Sequence, residues 1–276
     1  MIFRVRELTP AFGAAIEGLD LRRELDDDTT RALRRVFDDR GVLVFRGLDL
    51  GADDQARLAG LLVDGEPVVY RHHMSNREPE EYATFGSLLF HSDMMWVDTP
   101  MELLSLYGLE VEQPSLPTVF VSATRAWETL PEPLRVRVAD LRAVHVTGQQ
   151  TRRGKTEELL PVVHERVRSA TKPVALRHPR TARTILYVSQ MMTSHVDGLE
   201  PDESEALLDE LFAHLYAPAN TWQHDWRDGD LVAWDNLAVQ HARPPVALDG
   251  PARVLRKVIA PAPQVAVTRP STSGVL

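Results

Sequence analysis

Two short motifs in the sequence place an aspartate two residues after a histidine. They are His91-Ser92-Asp93 and His195-Val196-Asp197. Because side chains alternate along a strand, such a pair at a strand end directs both side chains to one side and can offer two ligands to one metal ion. With 10 histidines in the chain, chance alone should give about one such pair. The spacing therefore needs support from its surroundings.

The surroundings favour the first motif. His91 follows a short apolar run, as expected at the end of a buried strand. Three large apolar side chains come directly after this motif and either line a pocket or belong to the core: Met94, Met95 and Trp96. His195 instead precedes a glycine and an acidic helix start, where Asp197 is typical of a turn. We therefore predict that His91 and Asp93 are the metal ligands.

A third ligand is expected from the segment VAWDNLAVQHARPP, late in the sequence. A predicted strand over residues 231–234 ends in Asp235 and Asn236, a turn-forming pair, and a second short strand then leads to His241. A lone histidine in such a run is more often a half-buried structural residue than a ligand. Together with the His91 motif, however, it would complete a set of two histidines and one carboxylate. Non-haem Fe(II) sites use this set and keep open positions on one side of the metal.

The last apolar run of the sequence, ARVLRKVIA, carries basic residues at strand spacing. On a strand, Arg253 and Lys257 share one face, and Arg256 lies on the other. Two cations on one face of an apolar strand are costly to bury unless they meet anions. A dicarboxylate cofactor would supply one anion, since an arginine can hold a carboxylate through two parallel hydrogen bonds. Arg253 is our candidate for that role, with a surface ion pair as the alternative.

The composition limits the kind of protein. The 276 residues include no cysteine, which excludes disulfides, thiolate catalysis and zinc sites that need sulfur. The formal net charge is −9 and no basic stripe with interleaved aromatic residues occurs, so nucleic acid is not an expected partner. No signal-peptide core is present, and no apolar run approaches the roughly 18 residues of a membrane-spanning helix. We therefore expect a cytoplasmic protein with no membrane partner.

The remaining pattern is mainly β with a few helices. Helical periodicity and helix-end signals mark residues 28–40, 53–62, 123–141 and 200–215, the third broken at its prolines. Short apolar runs predict strands at residues 41–47, 102–111, 118–122, 173–179, 184–189, 221–226, 230–236 and 252–260. Many short strands with few helices predict a single domain over residues 1–276, a β-sandwich or barrel packed by helices.

Three segments of this domain lack a regular pattern. Residues 68–83 are mostly polar and predict an irregular loop. Residues 147–169 are rich in charge and predict either a lid or a solvated insertion. Residues 264–276 are rich in serine, threonine and proline, which predicts a flexible tail.

These pieces together resemble the taurine dioxygenase (TauD/TfdA) family over nearly the whole chain. The opening FGAAIEGLDL is similar to the family's N-terminal pattern, and the block WDNLAVQH is the most specific match. The resemblance implies a double-stranded β-helix (jelly-roll, cupin-like) fold with flanking helices. It also implies an Fe(II)/2-oxoglutarate-dependent dioxygenase, with the iron on His91, Asp93 and His241 and with 2-oxoglutarate on Thr118 and Arg253.

The resemblance further implies that O2 is consumed, that succinate and CO2 are released, and that a substrate C–H bond is oxidised. The presence of Asp93 indicates hydroxylation rather than halogenation. The residue four positions after the family's arginine often faces the substrate. The implied substrate residues are Tyr70, Ser87, Met94 and Lys257. Departures from the taurine enzyme at Tyr70, Ser87 and Lys257 argue against taurine and leave another small anionic or zwitterionic substrate. A homo-oligomer, dimer or tetramer, is also implied.

Two other interpretations stay open on sequence alone. A metal-dependent hydrolase or isomerase on a cupin-like barrel would use the same three ligands, but it would not need Arg253 to face the metal. A non-catalytic binding protein on the same scaffold would not need an intact ligand set. Fe(II)-dependent binding of 2-oxoglutarate distinguishes the oxygenase from both.

Overall fold

The computed structural model describes residues 3–77, 86–146 and 169–262. Strands dominate this part of the chain, as the sequence predicts. They are β1 (Arg4–Glu7), β2 (Ala14–Glu17), β3 (Val42–Phe45), β4 (Val68–Val69), β5 (Met74–Ser75), β6 (Gly86–His91), β7 (Leu103–Val111), β8 (Thr118–Ser122), β9 (Arg142–Val146), β10 (Ser169–Pro173), β11 (Ala175–Arg177), β12 (Thr184–Leu186), β13 (Thr193–Val196), β14 (Thr221–His224), β15 (Leu231–Asp235), β16 (Val239–Val246) and β17 (Arg253–Ala260).

Helices flank these strands, and local signals explain where they begin and end. The described helices are α1 (Asp27–Arg40), α2 (Ala52–Leu62), α3 (Ala123–Glu128), α4 (Glu132–Val138) and α5 (Pro201–Leu215). Asp26 caps α1 by accepting a hydrogen bond from the Thr29 amide at 2.7 Å. Gly41 ends α1 with φ of 68°, a conformation that costs glycine little. The predicted break near Pro131 separates α3 from α4. None of the described helices is long and apolar enough to span a bilayer.

Two sheets packed face to face form the framework. The larger sheet has the order β1-β2-β3-β15-β7-β17, with β4 and β5 on the outer edge of β17, and β2 with β3 is its parallel pair. The smaller sheet, β14-β8-β16-β6, is antiparallel throughout. Apolar side chains from both sheets meet between them, among them Val44, Phe120, Trp234 and Leu255. This is the jelly-roll arrangement that the resemblance implies.

The helices cover the outer faces of this sandwich. Helices α1 and α2 pack on the larger sheet through residues such as Leu33, Phe37 and Leu58. Helices α3, α4 and α5 build a second outer core with β9 and β12, around residues such as Leu186 and Leu208. The space between the two sheets is therefore enclosed on both sides, and the polar side chains that enter it are the candidates for function.

The segment over residues 68–83 differs from its prediction as an irregular loop. It begins with β4 and β5, which pair with β17 so that Val69 lies opposite Val258 and Ser75 lies opposite Val254. Strands of two residues leave no periodicity for a sequence pattern to detect. The rest of that segment from residue 78, the predicted lid up to residue 168 and the predicted tail over 264–276 lie outside the described residues.

Candidate active site

Three polar side chains meet between the sheets at the end of β6. His91 and His241 are cross-strand partners on β6 and β16, with ring centroids 4.3 Å apart. Asp93 follows β6, and its Oδ1 lies 3.2 Å from His91 Nε2 and 3.8 Å from His241 Nε2. One ligand atom from each residue lies within 4.8 Å of the others, which is close enough to bind a single ion. The structure thus brings together the three predicted ligands.

The donor set of this cluster fits Fe(II). Two imidazole nitrogens and one carboxylate oxygen form the facial set that leaves coordination positions for a cofactor and O2. His91 Nδ1 lies 2.7 Å from the Leu89 carbonyl oxygen, so the network assigns a proton to Nδ1 and leaves the Nε2 lone pair for a metal. His91, Asp93 and His241 would therefore hold the ion.

Charge in the site favours the protonation states that bind a metal. Burial raises the pKa of Asp93, but the Lys257 ammonium and the neighbouring His91 outweigh it and hold the pKa well below its usual range. Burial and the charge of His91 hold the pKa of His241 well below its usual value. Metal binding needs an ionised carboxylate and neutral imidazoles, and these two shifts favour the ionised form of Asp93 and the neutral form of His241.

The second His-x-Asp motif lies elsewhere. His195 is exposed on β13, and its Nδ1 lies 3.2 Å from the hydroxyl of the adjacent Ser194. Asp197 is exposed in the turn after that strand. Within the described ranges, the one group of histidine and acidic side chains that could hold a metal is the His91 cluster. Of the two motifs, the structure therefore places the first in a cluster that could hold a metal, as the sequence predicts.

Asn236 holds Asp93, the predicted carboxylate ligand, by its backbone. Its Oδ1 accepts a hydrogen bond from the Asp93 amide at 2.8 Å, and its Nδ2 donates to the Asp93 carbonyl at 3.0 Å. The same Nδ2 donates to the Met101 carbonyl at 3.1 Å. The side chain is fully buried, so these bonds are shielded from water. The sequence predicts only a turn residue at this position. The structure shows that Asn236 also clamps the backbone of the loop after β6 that carries Asp93.

Replacing Asn236 with alanine should therefore weaken metal binding. Removing groups that orient metal ligands typically costs roughly 10- to 100-fold in affinity, and we expect a loss in that range for Mn(II) measured by calorimetry. Asn220→Ala is the matched control, because Asn220 is also a buried amide that donates to carbonyls, but at the end of α5. Equal Mn(II) affinity in the two variants would contradict the clamp.

Asp235 shapes the turn that leads to His241. Its Oδ1 accepts hydrogen bonds from the Leu237 and Ala238 amides at 3.0 and 2.9 Å. Its Oδ2 lies 2.8 Å from His178 Nε2 and accepts a hydrogen bond from Arg180 Nη2 at 2.7 Å. The sequence analysis missed His178 and Arg180. A histidine and an arginine in a proline-containing turn give no local sign of a partner 55 or more positions away.

The other residues of the WDNLAVQH block also have structural roles. Trp234 packs against the ring of His241, with centroids 4.9 Å apart. Gln240 accepts a hydrogen bond from the Tyr216 hydroxyl at 2.9 Å and donates to the Val188 carbonyl at 2.6 Å. The block therefore fixes β16 against both the larger sheet and the outer core.

Thr118 and Arg253, the two predicted cofactor residues, lie side by side. Arg253 Nη2 donates to Thr118 Oγ1 at 3.2 Å, and Trp226 Nε1 donates to the same oxygen at 2.9 Å. Burial, helped by the charge of Arg243, lowers the pKa of Arg253 to about 9. No ion pair between described residues gives Arg253 a carboxylate. A buried guanidinium beside a hydroxyl is suited to holding a carboxylate of a bound molecule.

The predicted faces of β17 are confirmed. Lys257 lies on the inner face with Arg253, where its Nζ pairs with Asp93 Oδ2. Arg256 lies on the outer face, where its Nε donates to Gln55 Oε1 of α2 at 2.8 Å. The ammonium of Lys257 also lies 4.8 Å from the centre of the Tyr70 ring, within the range of a cation–π contact. These contacts bring Lys257 and Tyr70 to the edge of the cluster formed by His91, Asp93 and His241.

The remaining predicted substrate residues are less closely tied to the cluster. Ser87 is half-buried on β6. Met94 is half-buried beside the inner core and has a φ of 59°, unusual for a residue other than glycine. Met95 is fully buried in the outer core, so of the two alternatives for this residue, pocket or core, the structure supports the core.

Comparison with known proteins matches this geometry. A family model described as "Taurine catabolism dioxygenase TauD, TfdA family" matches residues 4–259. The chain is 30% identical over 262 residues to the alpha-ketoglutarate-dependent 2,4-dichlorophenoxyacetate dioxygenase of Cupriavidus pinatubonensis, covering 85% of this chain and 89% of that one. It is 29% identical over 255 residues to an alkylsulfatase of Acinetobacter baylyi, covering 86% and 78%. A solved taurine dioxygenase from Burkholderia xenovorans has a TM-score of 0.77 and 27% identity, covering 94% and 90%.

Proposed function

Because the chain belongs to the TauD, TfdA family of dioxygenases, we propose that His91, Asp93 and His241 are its iron ligands and that Thr118 and Arg253 bind 2-oxoglutarate. The protein is a non-haem Fe(II)/2-oxoglutarate-dependent dioxygenase that acts on a small molecule with O2. The observation that supports this assignment is the cluster of three side chains whose ligand atoms lie within 4.8 Å of one another. The buried Arg253 enters the same space between the two sheets.

The site residues divide the work between them. When bound, Fe(II) with 2-oxoglutarate and O2 supplies the oxidising power to break a substrate C–H bond, with succinate and CO2 as co-products. Asp93 binds the metal as an anion, and Asn236 keeps its backbone in place. Arg253 and Thr118 orient the far carboxylate of 2-oxoglutarate. The aromatic side chains of Phe120 and Trp234 keep water out of the space between the sheets.

We propose hydroxylation of a small anionic or zwitterionic substrate whose negative group meets Lys257. This ammonium is nearly buried beside the metal cluster, and a buried cation needs an anionic partner. Asp93 is that partner in this structure. Once Asp93 also binds a metal, the negative group of a substrate would pair with the Lys257 ammonium alongside it. Three similar proteins are named for 2,4-dichlorophenoxyacetate, alkyl sulfates and taurine. Each of these compounds carries an anionic group. Tyr70, Ser87 and Met94 would contact the rest of the molecule.

A substrate panel tests the proposed function. Aryloxyacetates, alkyl sulfates and sulfonates, each with an uncharged counterpart such as a methyl ester, would be incubated with Fe(II) and 2-oxoglutarate, and succinate would be measured. We expect succinate release that is stimulated by at least one anion and not by its uncharged counterpart. Stimulation by neutral compounds alone would contradict the anionic substrate, and no succinate under any condition would contradict the oxygenase itself.

Replacing Lys257 with methionine should separate substrate binding from metal binding. Losing one partner of a buried charge pair costs roughly 2 kcal/mol or more, so we expect kcat/KM for the anionic substrate to fall about 30-fold or more. Mn(II) should still bind, because all three ligands remain. Lys172→Met is the matched control, since Lys172 donates to the Asp98 carbonyl away from the metal cluster. An equal loss in both variants would argue against a substrate contact.

We also propose that the protein works in the cytoplasm, where 2-oxoglutarate is made and consumed, and that it forms a dimer or tetramer. The support for an oligomer is a group of partly exposed hydrophobic side chains at the edge strand β4, namely Val68, Val69 and Tyr70. Light scattering on the purified protein would measure its mass.

A further inference from the structure

Trp226 lies beside both of the residues that we propose for 2-oxoglutarate. It follows β14 and is fully buried among the side chains between the two sheets. Its Nε1 donates a hydrogen bond to Thr118 Oγ1 at 2.9 Å. The central carbon of the Arg253 guanidinium lies 5.9 Å from the centre of the indole ring, within the range of a cation–π contact. One side chain therefore contacts both proposed cofactor residues.

The position of Trp226 is fixed from two directions. The ring of His224 packs nearly perpendicular to the indole, with centroids 4.6 Å apart, and His224 Nε2 lies 3.2 Å from Oδ2 of the buried Asp230. The Trp226 carbonyl accepts a hydrogen bond from Gln113 Nε2 at 2.8 Å. Because close packing leaves a buried indole little freedom to turn, the direction of its N–H bond is set before a cofactor binds.

Trp226 and Arg253 together decide how the Thr118 hydroxyl can bond. A hydroxyl oxygen has two lone pairs and one proton. Trp226 Nε1 and Arg253 Nη2 donate to this oxygen at 2.9 and 3.2 Å, which uses both lone pairs. Neither group can accept the hydroxyl proton in return, since an indole N–H and a guanidinium are donors only. Thr118 can therefore act only as a donor toward a bound molecule.

Arg253 keeps further donors for the same molecule. In its contacts with the described residues, Nε donates to the Leu116 carbonyl at 3.4 Å and one Nη2 proton goes to Thr118. A guanidinium carries five N–H protons, so the remaining ones and the Thr118 proton are available together. A carboxylate, which accepts about four hydrogen bonds on two oxygens, matches this set of donors, whereas an amide or a hydroxyl group would bring protons of its own.

We propose that Trp226 is a positioning residue for 2-oxoglutarate, which holds the Thr118 hydroxyl as a donor and so aligns its proton with Arg253 for the far carboxylate. Trp226 acts through Thr118 and not by contact with the cofactor. The inference rests on the proposed function, because it assumes that Thr118 and Arg253 bind 2-oxoglutarate. Without the indole N–H, one lone pair of Thr118 is free and its hydroxyl can turn away from the carboxylate.

The test compares two 2-oxo acids that differ only at the far end. 2-Oxopentanoate carries a methyl group where 2-oxoglutarate carries its second carboxylate. Calorimetry on the Mn(II)-loaded protein would give the affinity for each acid in the wild type, Trp226→Phe, Thr118→Val and the double variant. Trp226→Phe keeps an aromatic ring beside Arg253 but removes the N–H. Trp127→Phe is the matched control, because Trp127 packs against the outer core.

We expect Trp226→Phe to weaken 2-oxoglutarate binding about 3- to 10-fold, the size of one hydrogen bond. Binding of 2-oxopentanoate should stay within about twofold, and Trp127→Phe should bind both acids as the wild type does. Because Trp226 acts through the Thr118 hydroxyl, the double variant should bind 2-oxoglutarate no more weakly than Thr118→Val alone.

Three results would overturn the proposal: no weakening in Trp226→Phe, equal weakening of both acids, or effects that simply add in the double variant. If Trp226→Phe does not fold, 3-benzothienylalanine at position 226 decides by the same comparison, since it keeps the bicyclic ring and replaces only the N–H by sulfur. Failure of the wild type to bind 2-oxoglutarate would instead count against the proposed function.

Discussion

Replacing His241 with alanine should abolish the complex that the wild type forms with Fe(II) and 2-oxoglutarate. In anaerobic solution the wild type should show a weak visible charge-transfer band when both are added, and the variant should show none. His241 is one of the three proposed ligands in the cluster. Even groups that only orient metal ligands are worth roughly 10- to 100-fold in affinity, so loss of a ligand itself should exceed that range. A titration of Fe(II) followed by absorption would measure it.

The chain offers an internal control for this experiment. His195 belongs to the other His-x-Asp motif and is exposed on β13, so His195→Ala should keep the band and the Fe(II) affinity of the wild type. A band that survives in His241→Ala, or disappears in His195→Ala, would contradict the assignment of the ligands. A wild type that binds Fe(II) without any band would favour a hydrolase or isomerase that uses the same metal site.

The second large effect should come from Asp235, and it should appear in stability. Asp235→Ala leaves the buried His178 and the half-buried Arg180 without the carboxylate that both contact. Arg180 keeps its ion pairs with Asp38 and Glu102. Removing one partner of a buried ion pair is destabilising by about 3–5 kcal/mol. Because Arg180 keeps two other carboxylates, we expect the free energy of unfolding, measured by urea denaturation, to fall by about 3 kcal/mol, the lower end of that range. Asp140→Ala, at an exposed position after α4, should change it by less than about 0.5 kcal/mol.

The same carboxylate gives the stability a defined pH dependence. Burial raises the pKa of Asp235, but the hydrogen bond and charge of His178, together with Arg180, outweigh it and lower the pKa below its usual value. The interaction therefore stabilises the fold above the pKa of the unfolded chain and is lost as the pH falls through the lower folded pKa. Asp235→Asn should lack this acid-sensitive component. An unchanged acid dependence in that variant would show that other carboxylates cause it.

A site residue could be predicted from sequence when its role depends on neighbours in the same strand, and not when it depends on residues far away in the chain. The His91 and Asp93 pair, and the shared face of Arg253 and Lys257, follow from alternation along single strands, and the structure confirms both placements. These are local properties, so a sequence pattern records them. The choice between the two His-x-Asp motifs also depended only on neighbouring residues.

Residues that act across the fold could not be recognised in this way. His178 and Arg180 reach Asp235 over 57 and 55 positions. Nothing in the residues next to each one indicates its partner, because strand order and register decide the contact. Strands β4 and β5 were missed for a similar reason, since each consists of two residues and is defined by pairing with β17.

The position of His91 and His241 as partners on adjacent strands has a consequence for how long the folded protein survives. A metal bound by both rings and by Asp93 would act as a removable cross-link between β6 and β16. These strands are far apart in sequence: Asp93 and Asn236, which are in contact beside them, are separated by 143 positions. Because the unfolded chain cannot assemble this site, the metal stabilises the fold in proportion to the logarithm of its free concentration. Resistance to proteolysis should therefore follow iron supply, and the apo protein should be degraded first.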